Sequence, residues 1–266
     1  MTVREAPVTN SRMSRIRFLV PLAIVGLAAC KKETTELSGP VGVAPSATAA
    51  AATAKGAIGS GSITGTVKLT GTPPEMQLTK RQADPFCAKT PMKEEEVVVG
   101  PGGTLKNVIV RVTAGLSGHY DPPAAAATVD QNACMYRPRV QGIMVGQPLK
   151  ITNSDQTLHN IHGYKGASTL FNQAEVPGLP PMTKQLTDAD QIVKLKCDVH
   201  PWMTAYVLVS SNPFFAVTRD DGSFQITGLP AGSYTVEAWH ERYGAKTAQI
   251  TVSDKPAVAG FAFEAK

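Results

Sequence analysis

Long apolar runs are missing from this 266-residue sequence. The run Phe18–Ala29 spans 12 residues, too few to cross a bilayer as a helix, which needs about 20. Charge of one sign is also missing. The formal net charge is +5, and Arg4, Arg12, Arg15 and Arg17 against Glu5 put +3 of it in the first 29 residues. The remaining +2 gives no electrostatic case for nucleic acid binding. After residue 60 no segment sustains a 3.6-residue apolar period, which argues against a helical domain. No Ser/His/Asp set and no paired acids point to hydrolytic chemistry. Aromatic residues are scarce at 6%, but hydrophobic residues make up 42%, enough to fill a core.

What is present begins with an address. Basic residues Arg12, Arg15 and Arg17 precede the apolar run, the order of a secretory signal. The run ends in Leu27-Ala28-Ala29-Cys30. This resembles the lipobox of bacterial lipoproteins, which implies cleavage after residue 29 and lipidation of Cys30. Lys31 in place of Asp implies, by the rule for Gram-negative lipoproteins, the outer membrane. The resemblance thus places the chain in the bacterial cell envelope, lipid-anchored and facing the periplasm. Residues 30–60 are rich in Ala, Gly, Ser and Thr and read as a flexible tether.

Beyond residue 60 short alternating or β-rich runs are separated by turns. Residues 62–69, 96–99, 105–112, a stretch within 127–140, 149–153, 191–197 and 204–210 read as strands. Residues 115–123, with Gly, Ser and a Pro pair, read as an internal boundary or long loop. The spacing suggests an all-β sandwich fold.

Two stretches concentrate metal-ligating side chains. Cys197, His200 and Met203 follow the spacing C-x2-H-x2-M between two strands, where a loop can turn all three donors to one point. Pro201 stiffens that loop. Thiolate, imidazole and thioether form a soft set suited to copper. Upstream, Asn153-Ser154-Asp155 precedes His159-Asn160. The alternative set His159, His162, Cys197 and His200 would suit zinc, although positions 159 and 162 face opposite sides of a strand. Trp202 reads as a surface or partner contact, and His240 as structural; no role follows for His119.

The two stretches together, over about residues 125–210, resemble a cupredoxin, the plastocyanin/azurin class of blue copper proteins. The loop is similar to that of amicyanins, which also place Pro after the histidine. The resemblance implies a cupredoxin-like Greek-key β-sandwich and one type 1 copper ion. His159, Cys197 and His200 would be equatorial ligands and Met203 the axial one, with Asn160 bonded across to the cysteine loop. The chain before residue 120 is longer than a minimal cupredoxin needs. If Cys30 carries lipid and Cys197 a metal, Cys87 and Cys134 are left to form a disulfide in an oxidising compartment. The competing pair, Cys134–Cys197, would leave no copper site.

Residues 213–266 carry Thr218-Arg219-Asp220-Asp221-Gly222-Ser223-Phe224, then Leu229-Pro230-Ala231-Gly232-Ser233-Tyr234 and an alternating strand. This resembles the carboxypeptidase regulatory-like, transthyretin-like module, a small β-sandwich related in shape to carbohydrate-binding domains; it informs fold more than function. Residues 61–74 resemble the first strand of the same module. The expected organisation is therefore a signal over 1–29, a linker over 30–60, a β segment over 61–118, a cupredoxin over 119–212 and a regulatory-like module over 213–266. The first and last β parts would form one sandwich with the cupredoxin inserted. The expected function is single-electron transfer to a periplasmic redox partner, without enzymatic activity. The alternatives are copper storage or delivery, or a glycan- or partner-binding scaffold with a vestigial copper site.

Overall fold

A computed structural model describes residues 54–266. The expected signal, the Cys30 lipidation site and residues 30–53 of the expected linker lie outside the described residues; its last part, residues 54–60, is not a free tether, because Gly56 N–H donates to His119 O and Gly59 N–H to Gly228 O. Sixteen strands follow in chain order: β1 (Gly61–Thr70), β2 (Ile109–Ala114), β3 (Ala127–Asn132), β4 (Met135–Arg137), β5 (Val140–Met144), β6 (Pro148–Asn153), β7 (His159–Lys165), β8 (Ser168–Glu175), β9 (Met182–Gln185), β10 (Gln191–Lys196), β11 (Thr204–Ser210), β12 (Phe215–Val217), β13 (Ser223–Leu229), β14 (Gly232–His240), β15 (Gly244–Val252) and β16 (Ala257–Glu264). The fold is all-β, a larger β-sandwich joined to a second, small one.

The second sandwich is built from both ends of the described chain. Alternation along β1 buries Ile63, Val67 and Leu69 on one face. This strand pairs antiparallel with β13 and parallel with β16. Facing it is the sheet β12-β2-β14-β15. The two sheets share a core that includes Ile63, Val67, Val110, Val236 and Phe261. Each such side chain contributes roughly 2 kcal/mol on burial. Gly65 lets the sheet close: a Cβ there would stand 1.7 Å from the Ala259 carbonyl oxygen.

Residues 127–210 supply the sheets β5-β11-β10-β7-β8 and β4-β3-β6-β9. Their core holds Val129, Tyr136, Ile143, Leu149, Ile161 and Leu195. A smaller cluster of Ile109, Val140, Tyr206 and Leu208 joins the two sandwiches, with the Tyr206 and Trp239 rings 5.3 Å apart. Beside it the Arg139 guanidinium donates two 2.7 Å bonds to Glu241. Both side chains are under 10% exposed, so each charge has its neutralising partner where water cannot serve.

Three strand expectations change. Residues 105–112 do not form one strand: Asn107 adopts φ +63°, and β2 begins only at Ile109. Thr218 holds the kink, its hydroxyl accepting from Val108 N–H and donating to Leu105 O. Residues 96–99 make a single bridge, Val99 to Leu105, rather than a strand. The stretch within 127–140 is a hairpin, β3–β4, whose two turn residues Ala133 and Cys134 both have positive φ. β8 and β9 carry no alternation that the sequence reading detected.

His240 ends β14 fully buried, stacked on Tyr243 at 4.9 Å. Its Nδ1 accepts the Arg242 N–H, and its Nε2 has no partner. Burial, then the nearby Arg139 and Arg242 charges, hold its pKa down to about 4. The unfolded chain takes up this proton near pH 6.5 and the folded chain only near pH 4, so stability is lost as pH falls through that window. The loss amounts to about 3 kcal/mol for this one group. Urea unfolding from pH 7 to pH 4 should therefore be less pH-dependent in His240→Phe than in the parent. Equal slopes would refute the assignment.

Candidate metal centre

β10 and β11 pair antiparallel up to Lys196 opposite Thr204, which leaves residues 197–203 as a seven-residue hairpin loop. The loop closes on itself: Cys197 N–H donates to Met203 O at 3.2 Å, and Met203 N–H to His200 O at 2.9 Å. These turns give an inward period of three. Cys197, His200 and Met203 are buried, whereas Val199 between them is 50% exposed.

His159 opens β7, the strand that pairs with β10 on its other side, and it is fully buried. Asn153 positions the turn before it. Its Oδ1 accepts from Asp155 N–H, and its amide donates to Thr157 O and Glu175 O. The result brings His159 Nδ1 to 2.9 Å from His200 Nδ1, with Cys197 Sγ 3.9 Å from the latter. One ligand atom from each of His159, Cys197 and His200 lies within 4.8 Å of the other two. Met203 belongs to the same buried cluster as Cys197. Cys197 forms no disulfide.

The environment favours a thiolate. Burial alone would raise the Cys197 pKa, but the His159 and His200 imidazoles and the N–H groups of Asn160 and His200 bring it down to about 6. Those two N–H groups reach the sulfur at 3.5 and 3.3 Å. Asn160 also spans to the loop: its Oδ1 accepts from Asp198 N–H at 2.5 Å, and its amide donates to Asp198 Oδ2.

Each imidazole presents its Nε2 to a carboxylate. His159 Nε2 lies 2.9 Å from Asp155 Oδ2, and His200 Nε2 lies 3.0 Å from Asp84 Oδ2. Asp155 is itself fixed by the Ala133 and Cys134 N–H groups at 2.8 and 2.7 Å, which hold the positive-φ hairpin turn. Burial works against a charged His159, yet the Asp155 carboxylate and the Cys197 sulfur raise its pKa. Burial likewise opposes ionisation of Asp84, but bonds from Thr157, Cys87, Phe86 and His200 bring its pKa down to about 2. With both Nε2 atoms facing carboxylates, the facing Nδ1 atoms can hold a proton between them or a metal ion. The donors present, two imidazoles and a lowered-pKa thiolate beside a buried thioether, fit copper by softness and type.

Cys87 and Cys134 form the disulfide, S–S 2.03 Å. Its Cys87 sulfur lies 3.8 Å from His200 Nε2. His162 stays outside the cluster, bonded through Nδ1 to Asp198 at 2.9 Å and through Nε2 to Thr169 at 2.8 Å. The zinc set that included it does not assemble among the described residues. Trp202 is half-buried rather than a free surface ring. It packs on His200 with centroids 5.0 Å apart, and its Nε1 donates to Cys134 O. His119 pairs with Asp121 at the surface. Sequence reasoning passed over Asp84 and the outer role of Asp155. The one local signal was Asp84-Pro85-Phe86-Cys87, where an Asp accepts from the N–H groups two and three residues on.

A family model for the β-sandwich domain of ER membrane protein complex subunit 7 matches residues 197–264. The match starts inside the 197–203 loop and covers about a quarter of the chain. A search of curated protein sequences returned no match. Among solved structures, the chain is similar to a purple cupredoxin from Nitrosopumilus maritimus at 26% identity and TM-score 0.28, over 32% of this chain and 99% of that one. It is similar to an amicyanin from Paracoccus versutus at 20% identity and TM-score 0.30, over 38% and 97%. A copper-containing nitrite reductase from Thermus scotoductus matches at 18% identity and TM-score 0.30, over 38% of this chain and 25% of that one.

Proposed function

We propose that this chain is a copper-binding electron carrier of the cell envelope, anchored by lipid at Cys30 and facing the periplasm, and not itself an enzyme. The observation that carries the reading is the convergence of His159, Cys197 and His200 at one buried point. His159 Nδ1, His200 Nδ1 and Cys197 Sγ would hold the ion, with Met203 as the fourth ligand. A copper ion there would supply a one-electron couple. The protein's own part is to keep the donors in place across that couple. The closed 197–203 loop, the Asn160 bridge to Asp198 and the carboxylates on both imidazoles restrain every donor. Burial of His159, Cys197 and His200 keeps bulk water away from these donor atoms. The signal and lipobox support the location, and a protein that donates or accepts single electrons there is the expected partner.

Copper holding without electron transfer is the second reading. It is favoured by the cover over His200, which is only 2% exposed. Protein purified from its native membrane distinguishes the two. A carrier should contain one copper per chain and cycle reversibly between ascorbate and a mild oxidant. Copper that stays Cu(I) under oxidant would support holding, and a preparation without copper, or with another metal, would sink both.

A further inference from the structure

The segment between β1 and β2 contains a loop that belongs to neither sandwich. At its base Thr79 N–H and Oγ1 donate to Met92 O, and Glu94 N–H donates to Gln77 O. Its tip is held on the other sandwich at three points. Cys87 is bonded to Cys134. Arg81, only 2% exposed, donates to Thr90 O within the loop and to Ala133 O across from it. Asp84 Oδ2 receives the Thr157 hydroxyl at 2.7 Å and faces His200 Nε2 at 3.0 Å. The loop therefore covers the outer edge of His200 with a carboxylate from 116 residues upstream.

We infer that Asp84 is a positioning residue of the metal centre, selecting the His200 tautomer that bears its proton on Nε2 and strengthening Nδ1 as a donor. The inference rests on the copper reading only for its redox consequence. Nε2 has the Asp84 carboxylate as acceptor, so its proton stays there and leaves the Nδ1 lone pair free. The carboxylate pulls on that proton, which pushes electron density onto Nδ1. A stronger donor there would favour Cu(II) over Cu(I) and lower the potential. Thr157 moderates the effect, because its hydroxyl donates to the same Oδ2 that accepts from His200. The disulfide keeps the loop, and so Asp84, in place.

Two near-isosteric variants of the full chain test this. Asp84→Asn weakens the acceptor, and Thr157→Val strengthens it. In copper-loaded protein the midpoint potential should shift upward in Asp84→Asn and downward in Thr157→Val. A role in packing alone would give no reason for opposite signs. In metal-free protein, imidazole ¹⁵N spectra should show His200 protonated at Nε2 in the parent and in Thr157→Val, and redistributed in Asp84→Asn. Shifts of one sign in both variants, or none in a folded Asp84→Asn protein with unchanged ¹⁵N signals, overturn the inference. If Asp84→Asn does not fold, Thr157→Val decides alone: a downward shift supports the inference, and no shift or an upward one refutes it. If the parent binds no copper, the electron-carrier reading fails and the ¹⁵N comparison still decides the role of Asp84.

Discussion

Cu(II) added to the metal-free protein with Cys197 reduced is expected to produce an intense visible band from thiolate-to-copper charge transfer, and Cys197→Ser is expected to abolish it. The band needs a thiolate bonded to the metal, and Cys197 is the one cysteine among the described residues outside a disulfide. Its pKa of about 6 makes thiolate the major form at neutral pH, so little proton displacement opposes binding. Serine at that position keeps the size of the side chain but not the soft donor. His159→Ala should also remove the band, because a second of the three converging donors is lost. Met203→Ala should retain a band at changed energy, since the thioether is the weak ligand in a His₂Cys site. His162→Ala should leave the spectrum unchanged, because its ring nitrogens are engaged with Asp198 and Thr169. Titration followed by absorption spectroscopy checks the set. A parent protein with a free Cys197 thiol and no band would defeat the copper assignment.

Replacing both Cys87 and Cys134 by Ser is expected to cost about 4 kcal/mol of unfolding free energy, from release of the loop the disulfide closes in the unfolded chain. The two residues are 47 apart in sequence. Against a typical total of about 5–15 kcal/mol, that is a large fraction. The covering loop would then be held on the other sandwich by Arg81, Asp84 and the packing of Phe86, with the Glu95–Arg137 ion pair at its base. Urea unfolding of the double variant against the parent reads the difference. An unchanged midpoint would refute the loop-closure estimate.

How much of this was legible in the amino-acid sequence varies by element. β1, β6, β10 and β11 carry side-chain alternation or dense β-branched residues, and their burial follows directly. Kinks were not legible. Asn107, Ala133 and Cys134 take positive φ because distant groups, Thr218 and Asp155, satisfy the backbone there. β8 was missed for another reason. Most of its residues are exposed on both faces, so it shows no apolar period and owes its conformation to hydrogen bonds with β7.

By itself the sequence determined the 197–203 arrangement. A loop between two β-rich runs, with donors every third residue and Pro201 to stiffen it, can turn Cys197, His200 and Met203 to one point. It also determined the alternation that makes each half a sandwich. Tertiary structure alone decided what stands behind those donors. Asp84 and Cys87 reach His200 from a loop between β1 and β2, and β1 lies between strands that follow it by more than 150 residues. An aspartate has no period that reveals its partner. Its acceptor oxygen acquires a role only when the folded chain buries it beside a ring nitrogen, and that meeting is set by long-range packing.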